Sequence, residues 1–367
     1  MADKAIRLGR AQVRLFGFGP KALPTALAKF DYMEAGEPPI AVLEDVVFHP
    51  QLRCLYDRDG RRIEITKPTY MEPGSPRWPN RELKLSQVEA REMPERFRVP
   101  AGLERVTEPV LLFGQLNQHF GHFLTDTMAR MWALDRLAPG QKVLFTPDLA
   151  EHLDKPFVRF VLDTLGLPRS RILRSDKLLR LDRVICPLPS LQYARVYRMF
   201  DRPHVQAAAS VLRAVRPLNR TPVYLSRGGL GRGHRSLPGE ELLEQRLARE
   251  GYLIVKPEQL PMAEQIRLFN GLGPVAGAFG SALHTLAFRD RLFGQKLGIL
   301  FPDMIVERFL MVDMIKGSRS VYVNAMREVD PVEDRLLSLN ERTWAIDAEA
   351  AMAGLSEGGL LSRPRRR

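Results

Sequence analysis

Residues 274–288 read PVAGAFGSALHTLAF. An apolar run of strand length enters a glycine turn at Gly280, and a short helix is predicted from Ser281 to Phe288. The same alternation continues on either side. Upstream stand PVYLS at 222–226, a Gly-rich loop, a predicted helix over 240–250, YLIVK at 252–256 and a helix over 262–269. Downstream stand LGILF at 297–301, a helix over 306–315 and SVYVN at 320–324. Strands alternating with helices predict a parallel sheet with helices on both faces.

The half before this segment is less regular. Residues 41–66 alternate in part, and Asp59-Gly60 between two strand-like runs is a hairpin signal. A Pro-rich loop follows over 67–79. Then PVLLF at 109–113, KVLF at 142–145 and RVICP at 183–187 read as strands, with helices predicted over 120–137, 157–167 and 204–215. Arg216-Pro217 ends the last of these, so a domain boundary is expected there: residues 1–215 and residues 216–367. The end of the chain, 331–360, reads as helical and polar.

The 367 residues are ample for two cores, and 45% hydrophobic with 27% charged residues excludes a disordered chain or a fibre. No run reaches the ~20 apolar residues of a membrane span. The charged start predicts no cleaved secretory leader. Cys54 and Cys186 belong to no CxxC pair and are expected as free, buried thiols in a reducing compartment. The formal charge is +12. Between Arg169 and Arg235 stand 15 basic and 3 acidic residues, an excess equal to that of the whole chain. Arg363, Arg365, Arg366 and Arg367 close it. Such concentration points to an anionic partner or to a solvated basic face.

Three segments carry chemistry. In the first, Asn117 to Asp126 (NQHFGHFLTD), one helical face can present His119, His122 and Asp126. A histidine beside a carboxylate makes a general base near neutral pH. Two histidines and an aspartate can also hold a divalent metal, although the spacing matches no standard zinc signature. Packed under the helix, His122 would instead be a core histidine. The second segment, Tyr224 to Arg235 (YLSRGGLGRGHR), leaves the end of a predicted strand, where open parallel sheets bind ligands. Arg227, Arg232 and Arg235 offer planar forks suited to phosphate. The glycine spacing is neither a dinucleotide fingerprint nor a P-loop. In the third, Gly280, Ser281 and Ala282 open a helix whose unpaired N–H groups suit a diphosphate.

In this order the three segments resemble glycosyltransferase family 61. The family's YGHFLxDxLPRLW block is similar to Phe120–Trp132, its SR strand end and RR pair to Tyr224–Arg227 and His234-Arg235, and its FxEQIxLF…IVGxHGAxLxNxxF block to 262–269 and 275–288. Three positions depart from the pattern. Phe279 stands for His, Thr285 for Asn, and Pro238-Gly239 for an Asn-Glu pair.

The resemblance implies an α/β, GT-B-like fold, two Rossmann-like domains facing across a cleft, here with a β-rich N-terminal segment. It implies an inverting transfer from a nucleotide-sugar donor, without metal or other cofactor. His122 or Asp126 would be the base, with Asn117, His119 and Arg130 on the acceptor side. Arg227, Arg232, Arg235, Glu264, Gly280, Ser281 and Ala282 would bind the donor. The implied acceptor is a glycan or lipid-linked glycan of a bacterial cell-surface polysaccharide such as a capsule. The expected place is the cytoplasm, with a peripheral contact to the anionic inner membrane face. Two rivals come from other classes. One is a catalytically silent member that binds a glycan or protein. The other is nucleic-acid binding, which the absence of RNP, helix-turn-helix and zinc-finger patterns argues against.

Overall fold

The computed structural model describes residues 4–8, 10–19, 33–34, 36–50, 52, 54–66, 94–138, 140–145, 150–173, 177–192, 195–213, 220–230, 237–289, 296–329 and 343–361. The chain forms two compact units. One joins Met1–Met33 to Ala208–Arg367, and the other is Glu34–Ala207.

The first unit is built on a seven-stranded sheet. Its order is Lys4–Leu8, Ala11–Phe16, Arg319–Asn324, Lys296–Phe301, Val275–Ala278, Val223–Leu225 and Leu253–Val255. Only the hairpin of the first two strands is antiparallel; every other neighbour is parallel. Helices Glu240–Arg249, Met262–Phe269 and Glu307–Lys316 and the 3-10 helix Ser281–Phe288 connect the parallel strands. Val223–Leu225 and Val275–Ala278 are buried at every position, as strands covered on both faces must be. The mixed α/β class expected from the sequence is therefore observed.

The expected boundary needs two corrections. The units divide between Ala207 and Ala208, inside the helix Arg202–Leu212, rather than at 215. The first 33 residues also leave the N-terminal unit. Ala11–Phe16 lies parallel beside Arg319–Asn324, with Val13 opposite Ser320 and Leu15 opposite Tyr322. Six residues of strand pattern carry no mark of a partner some three hundred residues away.

The second unit holds a sheet in the order Cys54–Tyr56, Ile40–His49, Leu179–Pro187, Val110–Gly114, Lys142–Phe145 and Ile172–Leu173, with Glu104–Val106 also pairing Leu179–Pro187. Ile40–His49 runs antiparallel to both its neighbours, and the remaining ladders are parallel. The hairpin signal at Asp59-Gly60 is realised: Asp57 N–H donates to Arg61 O at 2.8 Å, and Tyr56 bridges Arg62. Val46, Phe48, Leu55, Val110, Leu112, Leu144, Leu181 and Val184 share one core with Cys186. Cys54 and Cys186 are both buried thiols outside any disulfide, as expected.

Near the C-terminus the expected helix begins only at Ala348. Trp344–Ile346 is instead a strand paired antiparallel to Met326–Glu328, and 330–342 lie outside the described residues. The whole Pro-rich 67–79 loop and the terminal arginines lie outside them as well. Among the described residues no helix is long and apolar enough to cross a membrane.

Candidate functional site

Each sheet has a point where the strand order reverses, and each motif segment stands there. From Val223–Leu225 the chain passes to Leu253–Val255 on one side and returns as Val275–Ala278 on the other. From Val110–Gly114 it passes outward to Lys142–Phe145 and Ile172–Leu173, then returns as Leu179–Pro187 on the opposite flank. Open parallel sheets bind ligands outside the carboxyl ends of strands at such reversals.

In the first unit the two strand ends are tied together. Arg227 follows Val223–Leu225, and its Nη1 donates to Phe279 O across the reversal at 3.4 Å. The turn at Gly280 then opens the Ser281–Phe288 helix, whose first N–H groups are the orphan donors of any helix start. Gly280, Ser281 and Ala282 follow Phe279 directly in the chain. Below them, the carboxylate of Glu240 is buried and accepts the Arg227 N–H on both oxygens at 3.1 Å. Tyr224 Oη donates to it as well, at 3.1 Å. Burial pushes the Glu240 carboxyl up to about 7, against the pull of these donors. Tyr224, desolvated beside that carboxylate, is held well above the usual phenol range.

The glycine pair after Arg227 answers to the protein itself. A Cβ on Gly229 would lie 1.8 Å from Glu258 Oε1 and 3.1 Å from Gln259 Nε2. The loop is pressed onto the 256–259 segment, and the missing side chain makes room for that neighbour.

The three departures from the family pattern take definite places. Phe279 is stacked on Phe301 at 5.7 Å and meets the edge of Trp344 at 6.4 Å. Thr285 is fully buried, and its Oγ1 has no partner among the described residues. Gly239 caps the Glu240–Arg249 helix with φ +85°, a left-handed conformation, and a Cβ there would meet Ile346 O at 2.3 Å. A carboxylate therefore cannot stand at 239 in this backbone; Glu240, one residue on, supplies one. Glu264 lies in the first turn of Met262–Phe269, half exposed and ion-paired with Arg267, so its carboxylate is engaged locally rather than at the reversal. Arg232 and Arg235 lie outside the described residues.

In the second unit, the segment after Val110–Gly114 begins as α-helix (Phe120–His122), widens to a π turn (Phe123–Thr127) and tightens to 3-10 (Met128–Arg136). Single π turns recur at functional sites. Here Met128 N–H bonds Phe123 O, one residue beyond the α pattern. Side chains from outside pin the segment. His204 Nε2 donates to Leu124 O at 2.8 Å, His152 Nδ1 to Leu116 O at 3.1 Å, and Thr127 Oγ1 to Gln115 O at 2.8 Å. Phe120 and Phe123 both pack edge-on against Phe157.

This frame presents a dyad. His122 Nδ1 lies 2.7 Å from Asp126 Oδ2, and the Thr125 hydroxyl lies 3.3 Å from Asp126 Oδ1. The histidine is 41% exposed and the aspartate 13%. An ionised carboxylate only accepts, so Nδ1 carries the proton and Nε2 is the basic nitrogen. His119 is exposed, with its ring 5.1 Å from that of His122, and its N–H donates to Asn117 Oδ1 at 3.0 Å. Asn117, His119, His122 and Asp126 are thus brought together, and the core-histidine alternative for His122 does not hold. Arg130 is not with them. It is 6% exposed, and its Nη1 donates to Pro187 O at 2.6 Å. With Trp132 Nε1 on Leu188 O at 2.9 Å and Ser190 on Ala129 O at 2.7 Å, it straps the helix to the end of Leu179–Pro187. Its expected place on the acceptor side is corrected to a buried tie. Among the described residues no three His, Cys, Asp or Glu side chains stand together as metal ligands.

Sequence reasoning missed Glu240, His204 and His152. Glu240 offered one signal, an acidic first turn after a Pro-Gly, and the histidines offered none.

Both reversal points, with a buried carboxylate under one loop and a histidine–carboxylate dyad on the other, fit an α/β transferase. Residues 120–292 match the family described as Glycosyltransferase 61. No curated protein matches the chain.

Proposed function

We propose that the chain is an inverting, metal-independent glycosyltransferase that moves a sugar from a nucleotide-sugar donor to a glycan acceptor in cell-surface polysaccharide synthesis. The observation that carries this reading is the position of both motif segments at the strand-order reversals of their sheets. In this reading the two units are the halves of a GT-B enzyme. The diphosphate of the donor binds at Arg227 and the N–H groups opening Ser281–Phe288. His122 Nε2 takes the proton of the acceptor hydroxyl while Asp126 holds the ring and stabilises its charged form. The acceptor oxygen forms the new bond to the anomeric carbon as the bond to the diphosphate breaks. The leaving group carries off the electron pair, its charge met by Arg227 and the helix start.

The charge excess over 169–235 and the terminal arginines support a peripheral contact with an anionic membrane face of the cytoplasm, worth about 1 kcal/mol per basic residue near the surface. Co-sedimentation with anionic vesicles checks this. Deleting residues 363–367 should weaken it, and undiminished binding removes the tail from the account.

The test of the activity is release of nucleoside diphosphate from UDP- and GDP-sugars with a glycan acceptor mixture. Release by the wild type that falls about a hundredfold or more in His122→Ala supports the reading. Equal rates in both contradict it. A second reading rests on Phe279 and Thr285, which put an aromatic stack and a hydroxyl without a partner among the described residues where the family pattern has polar side chains. There the chain binds a glycan or protein without transfer, and folded wild type would release nothing from any donor.

A further inference from the structure

We propose that Glu240 is the positioning residue of the donor site, holding the Arg227 backbone so that its guanidinium spans the reversal to Phe279. The proposal rests on the donor reading given above. Arg227 reaches Phe279 O, just past the strand Val275–Ala278, through its guanidinium, and its N–H is gripped by both oxygens of one buried carboxylate. The same carboxylate takes the hydroxyl of Tyr224, inside the strand that launches the loop. Glu240 thus joins the last turn of the strand path, the loop and the start of the Glu240–Arg249 helix into one piece.

The local sequence serves that piece. Gly239 adopts a left-handed turn against Ile346 O, which delivers the next residue, Glu240, inward instead of to solvent. Ser226 is buried, and its hydroxyl accepts the Gly228 N–H at 3.0 Å, so the loop is held from both sides of Arg227. A carboxyl pushed toward neutrality by burial is an expensive way to fill space. Its two bonded partners lie in the strand and loop that carry Arg227, and neither is a lysine or arginine side chain. That is the arrangement of a group whose work is to fix a backbone donor by the placement of its acceptor oxygens.

Arg227 then owes its place to Glu240, and a ligand of diphosphate chemistry depends on a residue it does not touch. The probes are UDP, GDP, CDP and ADP, bound to the full-length protein by calorimetry, with hydrogen exchange of the 224–230 peptide read in parallel. The variants are Glu240→Gln, which keeps the acceptor geometry, Glu240→Asp, which keeps the charge but falls a methylene short, and Arg227→Ala. The expected result is a loss of about tenfold or more in affinity and faster exchange at Arg227 in Glu240→Asp, with Glu240→Gln within about threefold of wild type. A folded Glu240→Asp protein that binds and exchanges like wild type overturns the proposal, as does a Glu240→Gln protein as weak as Glu240→Asp. Loss of binding in Arg227→Ala alone also overturns it while leaving the donor reading intact. A wild type that binds none of the four overturns both.

Discussion

At the scale of single residues, the i, i+4 spacing of His122 and Asp126 was readable because it lies within one turn of helix. Their 2.7 Å contact joins ring and carboxylate in one dyad. In the proposed reaction the carboxylate orients the ring and the imidazole takes the acceptor proton, so Asp126→Asn should lower turnover by orders of magnitude while leaving donor affinity within a few-fold. A steady-state comparison of kcat and donor KM checks this. Glu240 could not be read the same way. Its partner is a backbone N–H thirteen residues earlier, and no side-chain pattern records such a bond. Its ionisation gives a signed prediction. Raised in the fold to about 7 from an ordinary 4.5, it withdraws stability as pH climbs through that interval. The groups facing it are Tyr224, Arg227 and Glu244, and the nearby Glu244 carboxylate adds to the rise. The melting temperature of Glu240→Gln relative to wild type should therefore increase from pH 5 to pH 8. A difference that is flat or falls with pH contradicts the assignment.

Among elements, the helix over 120–136 shows what hydrophobic spacing leaves unsaid. Phe120, Phe123, Leu124, Met128, Met131 and Trp132 announce a helix, but apolar spacing does not separate α from π or 3-10 winding. The winding is fixed from outside, by His204 on the Leu124 carbonyl, and it turns Arg130 inward to Pro187. His204 is fully buried, so His204→Ala should cost about 1–3 kcal/mol through the unsatisfied carbonyl and the space left behind. Urea unfolding measures this. Two glycines in the other unit make a contrasting pair. The obstacle to a side chain at Gly229 is the movable end of Glu258, whereas at Gly239 it is the Ile346 backbone, joined to a φ of +85°. Gly239→Ala should therefore be the more destabilising of the two, by about 1 kcal/mol or more. Equal melting temperatures contradict that packing.

For the whole molecule, the alternation from 222 to 324 was legible as a parallel α/β sheet because its strands and helices follow one another in the chain. The outer strand was not. Lys4–Leu8 and Ala11–Phe16 complete that sheet from the far end of the sequence, where local pattern names no partner. A chain lacking residues 1–16 leaves Arg319–Asn324 as a bare edge, and exposed edges invite association. Its C-terminal unit should melt lower and aggregate, as light scattering on heating would report.

The reversal between Val223–Leu225 and Val275–Ala278 is proposed above as the site of the donor's diphosphate. A thermal-shift comparison of wild type and Arg227→Ala against UDP, GDP and CDP, with and without EDTA, tests it most directly. A saturating ligand should stabilise by about 2.7 kcal/mol at a hundred times its Kd, raising the melt by a few degrees. Such a shift is expected for one nucleotide series in wild type, unchanged by EDTA and absent from Arg227→Ala. A shift that persists undiminished in folded Arg227→Ala, or no shift in folded wild type, contradicts it.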